Sequence, residues 1–154
     1  MTVRPAGVAD ALALARVEQA CFANPWSQRA LADTLGQPGA LFVLAEQEDG
    51  TVVGYAGCQC VLDEGYITNI AVVPALRRQG VARKLLCWLL TQVAGRLSFI
   101  TLEVRDSNRA AISLYEQMGF CRVGVRKAYY TDPVEDAQLW TKELGERNCE
   151  HTGH

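Results

Sequence analysis

An α/β protein is expected from three features of the chain. A strand-like run over residues 64–73 is followed by a helical stretch over about 80–93 and then by a second strand-like run over 99–104, the order of strand, crossover helix and strand. Asp49-Gly50 stands between two further strand-like runs, a strong hairpin signal. The chain of 154 residues is 49% apolar, enough for one globular domain with a real core.

Thr2-Val3-Arg4 reads as an opening strand. Asp10 is placed to cap a helix running to about Cys21, with Leu14, Val17 and Cys21 on one stripe. Asn24-Pro25 breaks that helix, and Ser27 can cap a short one ending near Gly36. Residues 41–46 and 51–61 form the hairpin around Asp49-Gly50. After the strand at 64–73, the helix from Gly80 to Val93 turns Val81, Leu85 and Leu89, with Leu86, Leu90 and Val93, toward a core. Strand 99–104 leads to a helix from Asn108 to Met118, stopped by Gly119, and strands near 121–126 and 136–144 finish the fold. A single domain is expected over residues 1–144, with 145–154 as a flexible tail.

Composition excludes several classes. With a net charge of −2 there is no electrostatic case for free nucleic-acid binding. The chain has no apolar run of about 18 residues and no leader-like apolar region behind Met1, so no membrane association is expected and the cytoplasm is the default location. The six cysteines (Cys21, Cys58, Cys60, Cys87, Cys121, Cys149) contain no CxxC pair and read as reduced, small apolar residues. Cys58 and Cys60 share one face of a strand, but zinc would need further ligands. The only histidines, His151 and His154, lie in the polar tail, and no metal is expected.

The most informative stretch is Arg77-Arg78-Gln79-Gly80-Val81-Ala82-Arg83-Lys84, a basic turn containing glycine at the start of an amphipathic helix. A helix start leaves backbone N–H groups without helical partners and carries partial positive charge, so it can seat a phosphate. Gly80 and Ala82 let that backbone approach a ligand, and Arg77, Arg78, Arg83 and Lys84 add countercharge. The pattern suits a pyrophosphate. It is neither GxxxxGK[ST] nor GxGxxG, which argues against an NTPase or a nicotinamide enzyme. By itself it is equally well a solvated helix start with surface arginines.

The next block, from Leu102-Glu103-Val104-Arg105-Asp106-Ser107-Asn108 to Tyr115-Glu116-Gln117-Met118-Gly119-Phe120, sharpens the reading. Together with Arg-x-x-Gly-x-Ala at 77–82, it resembles the GNAT (Gcn5-related) acetyltransferases, which bind acetyl-CoA. Phe22-Ala23-Asn24-Pro25-Trp26-Ser27, Leu62-Asp63-Glu64, Asn69-Ile70-Ala71-Val72 and Arg126-Lys127-Ala128-Tyr129-Tyr130 are similar to the RimI type, the ribosomal-protein N-terminal alanine acetyltransferases. These blocks run in order from about residue 17 to 144. The resemblance implies a mixed, mostly antiparallel sheet in which the strands at 64–73 and 99–104 splay apart to admit the thioester. Backbone groups of Ile70, Ala71 and Val72 would then pair with the pantetheine amides as an added strand does. Ala82 departs from the family, which usually has glycine at that third small position. The stretch Asp132-Pro133-Val134-Glu135 is also short.

Acetyl transfer to an amine requires a neutral nucleophile, a stabilised oxyanion and a protonated leaving thiolate. An α-amine of pKa near 8 is mostly protonated at neutral pH, so a base is needed. With the family match Glu103 is the favoured base; it lies on one face of its strand with Phe99 and Thr101. Its plainer reading is a salt bridge to Arg105 or Arg126, and Asp63 and Glu64 are rivals as base. Tyr115 is the expected acid, on a helical face with Asn108, Ala111 and Met118. Asn108 is directed at the cofactor on this reading, and is otherwise a helix cap. The N–H of Ala71 or Val72 is the expected oxyanion donor. Trp26, Glu64, Tyr129 and Tyr130 would form the substrate side, framing a slot for a peptide N-terminus.

The first functional expectation is therefore transfer of acetyl from acetyl-CoA to the N-terminal alanine of small-subunit ribosomal protein eighteen. The alternatives are other protein N-termini, lysines or a small amine, and, outside enzymes, a non-catalytic acyl-CoA-binding module.

Overall fold

A computed structural model of the protein describes residues 1–145. Its elements are, in order, β1 (Thr2–Ala6), α1 (Ala11–Cys21), α2 (Gln28–Leu35), β2 (Ala40–Glu46), β3 (Val52–Val61), β4 (Glu64–Val72), α3 (Val81–Val93), β5 (Phe99–Arg105), α4 (Arg109–Gln117), β6 (Cys121–Thr131) and β7 (Val134–Glu143). Seven strands hydrogen-bond in the order β1-β2-β3-β4-β5-β7-β6. The pairs β1–β2, β2–β3, β5–β7 and β6–β7 are antiparallel, and β4–β5 is parallel. This is the mixed, mostly antiparallel α/β arrangement that the resemblance implied. The chain divides into two compact units, Met1–Cys60 with Thr68–Gln92, and Val61–Ile67 with the chain from Val93 onward.

In the first unit the β2–β3 hairpin turns where Asp49-Gly50 predicted it. Gly50 takes φ +89°, and Asp49 Oδ1 accepts the Thr51 N–H at 2.9 Å. Phe42, Leu44 and Tyr55 face α1 and α2 and join Leu14, Val17 and Leu31 in one buried cluster. The alternate residues Val43 and Ala45 are buried too, so β2 reads as a continuous apolar run. α3 lies against the face that Gly54 presents. A Cβ at Gly54 would sit 3.3 Å from Val81 Cγ1 and 3.0 Å from the Ala71 carbonyl, so this crossing of helix and two strands needs glycine.

Two caps behave differently. Ser27 Oγ accepts the Ala30 N–H at 3.1 Å, as expected. Asp10 precedes α1 but makes no side-chain cap bond to it. Its carboxylate instead accepts the Gly7 N–H at 2.9 Å and pairs with Arg4 at 2.9 Å, which closes a single 3₁₀ turn, Val8–Asp10, in front of the helix. The guanidinium of Arg4 holds the Asp10 carboxyl below its ordinary range.

In the second unit β5 alternates, with Ile100, Leu102 and Val104 buried and Phe99, Thr101, Glu103 and Arg105 on the other face. β6 and β7 extend beyond the expected 121–126 and 136–144, because Tyr130 and Thr131 pair again with Glu135 and Val134 after a shift of register. That shift sets Lys127, Ala128 and Tyr129 opposite Asp136, a bulge that local periodicity does not show. Ala128 takes φ +50° there, its N–H held by Asp136 Oδ1 at 2.8 Å.

Cys21, Cys58, Cys60 and Cys87 are free thiols. Cys149, His151, His154 and most of the expected tail lie outside the described residues.

Candidate active site

The expected cofactor residues other than Asn108 belong to the first unit. Ile70, Ala71 and Val72 end β4, with Ala71 and Val72 buried. The Val72 carbonyl already accepts from Arg77 Nε at 3.0 Å and from the Cys21 thiol at 3.3 Å, so this arginine is committed in part to the backbone. Burial pushes the Cys21 thiol upward, and the Arg77 guanidinium opposes the shift. Beside this stretch the buried Asn69 Oδ1 has no hydrogen-bond partner among the described residues. A buried polar oxygen left unpaired is costly, so this one is suited to a donor that arrives with a ligand.

Arg78 and Gly80 both have left-handed backbones, φ +65° and +82°, on either side of Gln79. A Cβ at Gly80 would meet nothing within 4 Å, so the space over this backbone is open. Val81 is buried and anchors the start of α3, Ala82 and Arg83 follow in its first turn, and the Lys84 N–H reaches the Gly80 carbonyl at 3.1 Å as the first helical bond. The turn thus has the open backbone and helix start that a phosphate seat requires.

Also in this unit, Trp26 lies exposed in the connection from α1 to α2, with its backbone N–H held by Glu18 Oε1 at 2.9 Å. Glu18 is only 2% exposed, and its other oxygen accepts the Tyr55 hydroxyl at 2.7 Å. Burial, then Glu18, push the Tyr55 phenol far up. The sequence reading missed Glu18 as the tether of the Trp26 turn. Its signal was a glutamate within the apolar stripe of α1.

The expected proton-handling residues lie in the second unit. The β4–β5 register pairs Glu64, Gly65 and Tyr66 with Phe99, Ile100 and Thr101. Glu103 follows Thr101 on the same face, and Tyr66 donates its hydroxyl to Glu103 Oε1. Glu103 Oε2 pairs with Arg126 Nε at 2.6 Å, so the salt bridge set against the base role is formed. Tyr66 was not anticipated, because the register that brings it to Glu103 is absent from either strand's own pattern. Of the rivals, Asp63 accepts the Ser98 hydroxyl at 2.5 Å, and Glu64 opens β4 on the surface.

Tyr129 and Tyr130 meet edge to face at 5.1 Å, and the Arg105 guanidinium lies 4.2 Å over the Tyr130 ring. Burial, then Glu103, raise both phenols. Tyr115 is buried on α4, tilted against Phe120 at 5.8 Å. Burial holds its phenol well above the ordinary range, and nearby Tyr130 adds to the shift. Asn108 takes the capping role, its Oδ1 accepting the Ala111 N–H at 3.2 Å.

The chain and its fold are similar to known proteins. The Acetyltransferase (GNAT) family profile matches residues 11–120. The chain belongs to the GNAT acetyltransferase family. A [ribosomal protein bS18]-alanine N-acetyltransferase of Escherichia coli (strain K12) is 40% identical over 139 residues, 88% of this chain and 93% of that protein. One from Haemophilus ducreyi is 41% identical over 122 residues, 78% and 82% of the two chains. The crystal structure of the ribosomal-protein-S18-alanine N-acetyltransferase from Escherichia coli superposes with a TM-score of 0.87 at 37% identity, covering 96% of both chains.

As a GNAT acetyltransferase, this chain offers an open glycine turn and an orphaned amide oxygen in one unit, with a half-buried carboxylate, Glu103, and a buried phenol, Tyr115, in the other. Among the described residues no group of three or more metal-ligating side chains could hold an ion, and no helix is long and apolar enough to cross a membrane.

Proposed function

We propose that this acetyltransferase carries acetyl from acetyl-CoA to the N-terminal alanine of ribosomal protein bS18, in the cytoplasm and by direct transfer. The reading is carried by identity of about 40% to enzymes of that name over most of both chains.

Acetyl-CoA fits the residues present, and it supplies an activated thioester carbonyl when bound. The backbone of Gly80, Val81, Ala82 and Arg83, with Arg77, Arg78 and Gln79, is assigned to its phosphates; the open space over Gly80 and its φ of +82° support this. Ile70, Ala71 and Val72, beside the orphaned Asn69 oxygen, are assigned to its amides. Asn108 keeps its amide N–H₂ for the same ligand while its oxygen caps α4. Glu103 takes the proton from the acceptor amine, directly or through a water, and Tyr115 holds a proton for the departing sulfur. Trp26, Glu64, Tyr129 and Tyr130 are assigned to the peptide.

The test is thiol release from acetyl-CoA by the purified chain with a panel of short peptides. An alanine-starting peptide with the bS18 N-terminus should turn over, and a blocked peptide offering only lysine should turn over at most slightly. The reverse ranking would replace the substrate assignment with lysine acetylation. Binding of acetyl-CoA without turnover of any amine would leave a binding module.

A further inference from the structure

The Glu103–Arg126 pair is lopsided. The Glu103 side chain is 8% exposed and that of Arg126 is 56% exposed. A carboxylate so enclosed needs a donor or cation to offset its lost hydration, whereas an exposed guanidinium gives up little when it returns to water. Arg105 next to it shows what a fixed arginine looks like in this unit. Its Nη1 donates to the Pro133 carbonyl at 3.2 Å and to Glu135 at 3.3 Å, its Nη2 donates to the Asp132 carbonyl at 3.3 Å, and the group lies 4.2 Å over the Tyr130 ring. Arg126 has Glu103, and the Tyr129 ring at 5.9 Å, near the outer limit for a cation over an aromatic face. It is also the last residue of β6 in regular register before the bulge.

We propose that Arg126 is a stand-in for the acceptor's ammonium. Its guanidinium occupies the Glu103 carboxylate until a peptide α-ammonium displaces it, and it returns once the neutral amide has formed. This deepens the reading of Glu103 as the group that meets the acceptor amine, and rests on it. One monovalent cation replaces another at the same carboxylate, so the exchange is nearly balanced, and an uncharged product cannot hold the arginine away. The Tyr66 hydroxyl donates to the carboxylate, and the phenols of Tyr129 and Tyr130 lie within its electrostatic reach; all three are neutral and do not compete for the cation's place. Arg126 thereby sets acceptor affinity and favours release of the acetylated peptide.

The test is calorimetric titration of the full chain, saturated with CoA, with one alanine-starting peptide in free-amine and N-acetylated forms. Arg126→Met should bind the free-amine peptide about three- to tenfold more tightly than the unaltered protein does. Binding of the acetylated peptide should change by less than about twofold, and Arg126→Lys should restore the original affinity for the free amine. In a Glu103→Gln background the gain from Arg126→Met should vanish. Unchanged or weaker binding of the free amine overturns the proposal. So does an equal gain for the acetylated peptide, or a gain that persists with Glu103→Gln. Turnover of the free-amine peptide by the unaltered protein reports on the function itself, so either idea can fail alone.

Discussion

Tyr115 is kept as a phenol by its surroundings, and this bears on how it can act. A phenol near pKa 10 facing a thiol near 8.5 already makes full proton transfer uphill by roughly 2 kcal/mol. Burial raises the Tyr115 phenol further, so in the role proposed for it Tyr115 would give the developing thiolate a hydrogen bond more than a completed transfer. Tyr115→Phe should therefore lower kcat about a hundredfold while KM moves only a few-fold. Steady-state kinetics with the alanine peptide would read this, and an unchanged kcat would remove Tyr115 from the chemistry. Glu103→Gln should lower the rate most at low pH, where more of the amine must lose a proton before it can attack. A loss that is flat from pH 6 to 9 would point to the bound hydroxyls and Arg126 as the residue's whole purpose.

Two glycines with the same φ separate strain from space at the level of elements. Gly39 and Gly80 both sit at +82°. A Cβ at Gly39 would lie 2.1 Å from the Cys60 carbonyl oxygen, where β2 begins against β3, whereas one at Gly80 would meet nothing. Gly39→Ala should cost about 3–4 kcal/mol in urea denaturation, because backbone must move and the Cys60 N–H bond to Gly39 at 2.8 Å goes with it. Gly80→Ala should cost about 1 kcal/mol, the conformational penalty alone. It should nevertheless weaken acetyl-CoA binding at least about tenfold in calorimetry, since the open space over the turn is what the ligand is assigned to use. Equal stabilities for the two variants would contradict the geometric account, and unaltered acetyl-CoA affinity in Gly80→Ala would contradict the phosphate seat.

For the whole molecule, buried phenols link stability to alkaline pH. Tyr55 and Tyr115 are both raised chiefly by burial, so the folded protein keeps these protons while the unfolded chain releases them near pH 10. The favoured form in the fold is the neutral phenol. Stability is therefore fully present below about pH 10 and is lost as pH rises beyond it, by up to about 1.4 kcal/mol per pH unit for each tyrosine. Thermal unfolding should give a Tm that is level from pH 8 to about 9.5 and falls above it. Tyr55→Phe should make that fall shallower while lowering Tm at neutral pH, because Glu18 then keeps only the Trp26 N–H. A level Tm through pH 11 would mean that these hydroxyls are not buried as described.

The order and type of the elements, the Asp49-Gly50 hairpin, the Ser27 and Asn108 caps and the basic glycine turn before α3 are legible in the residues alone. Each of these depends on side-chain periodicity or on the backbone preferences of a few neighbouring residues, which are local properties. The ordered family blocks likewise carried the acetyltransferase reading. Tertiary structure decided the rest. Tyr66 and Arg126 meet at Glu103 only because β4 pairs with β5 in one register and β6 runs into a bulge, and registers between distant strands leave no mark on a strand's own pattern. Asp10 exchanged its expected cap for Arg4 and Gly7 for a related reason: a carboxylate takes the donors that the completed fold brings within reach, and neighbours in sequence are only some of them.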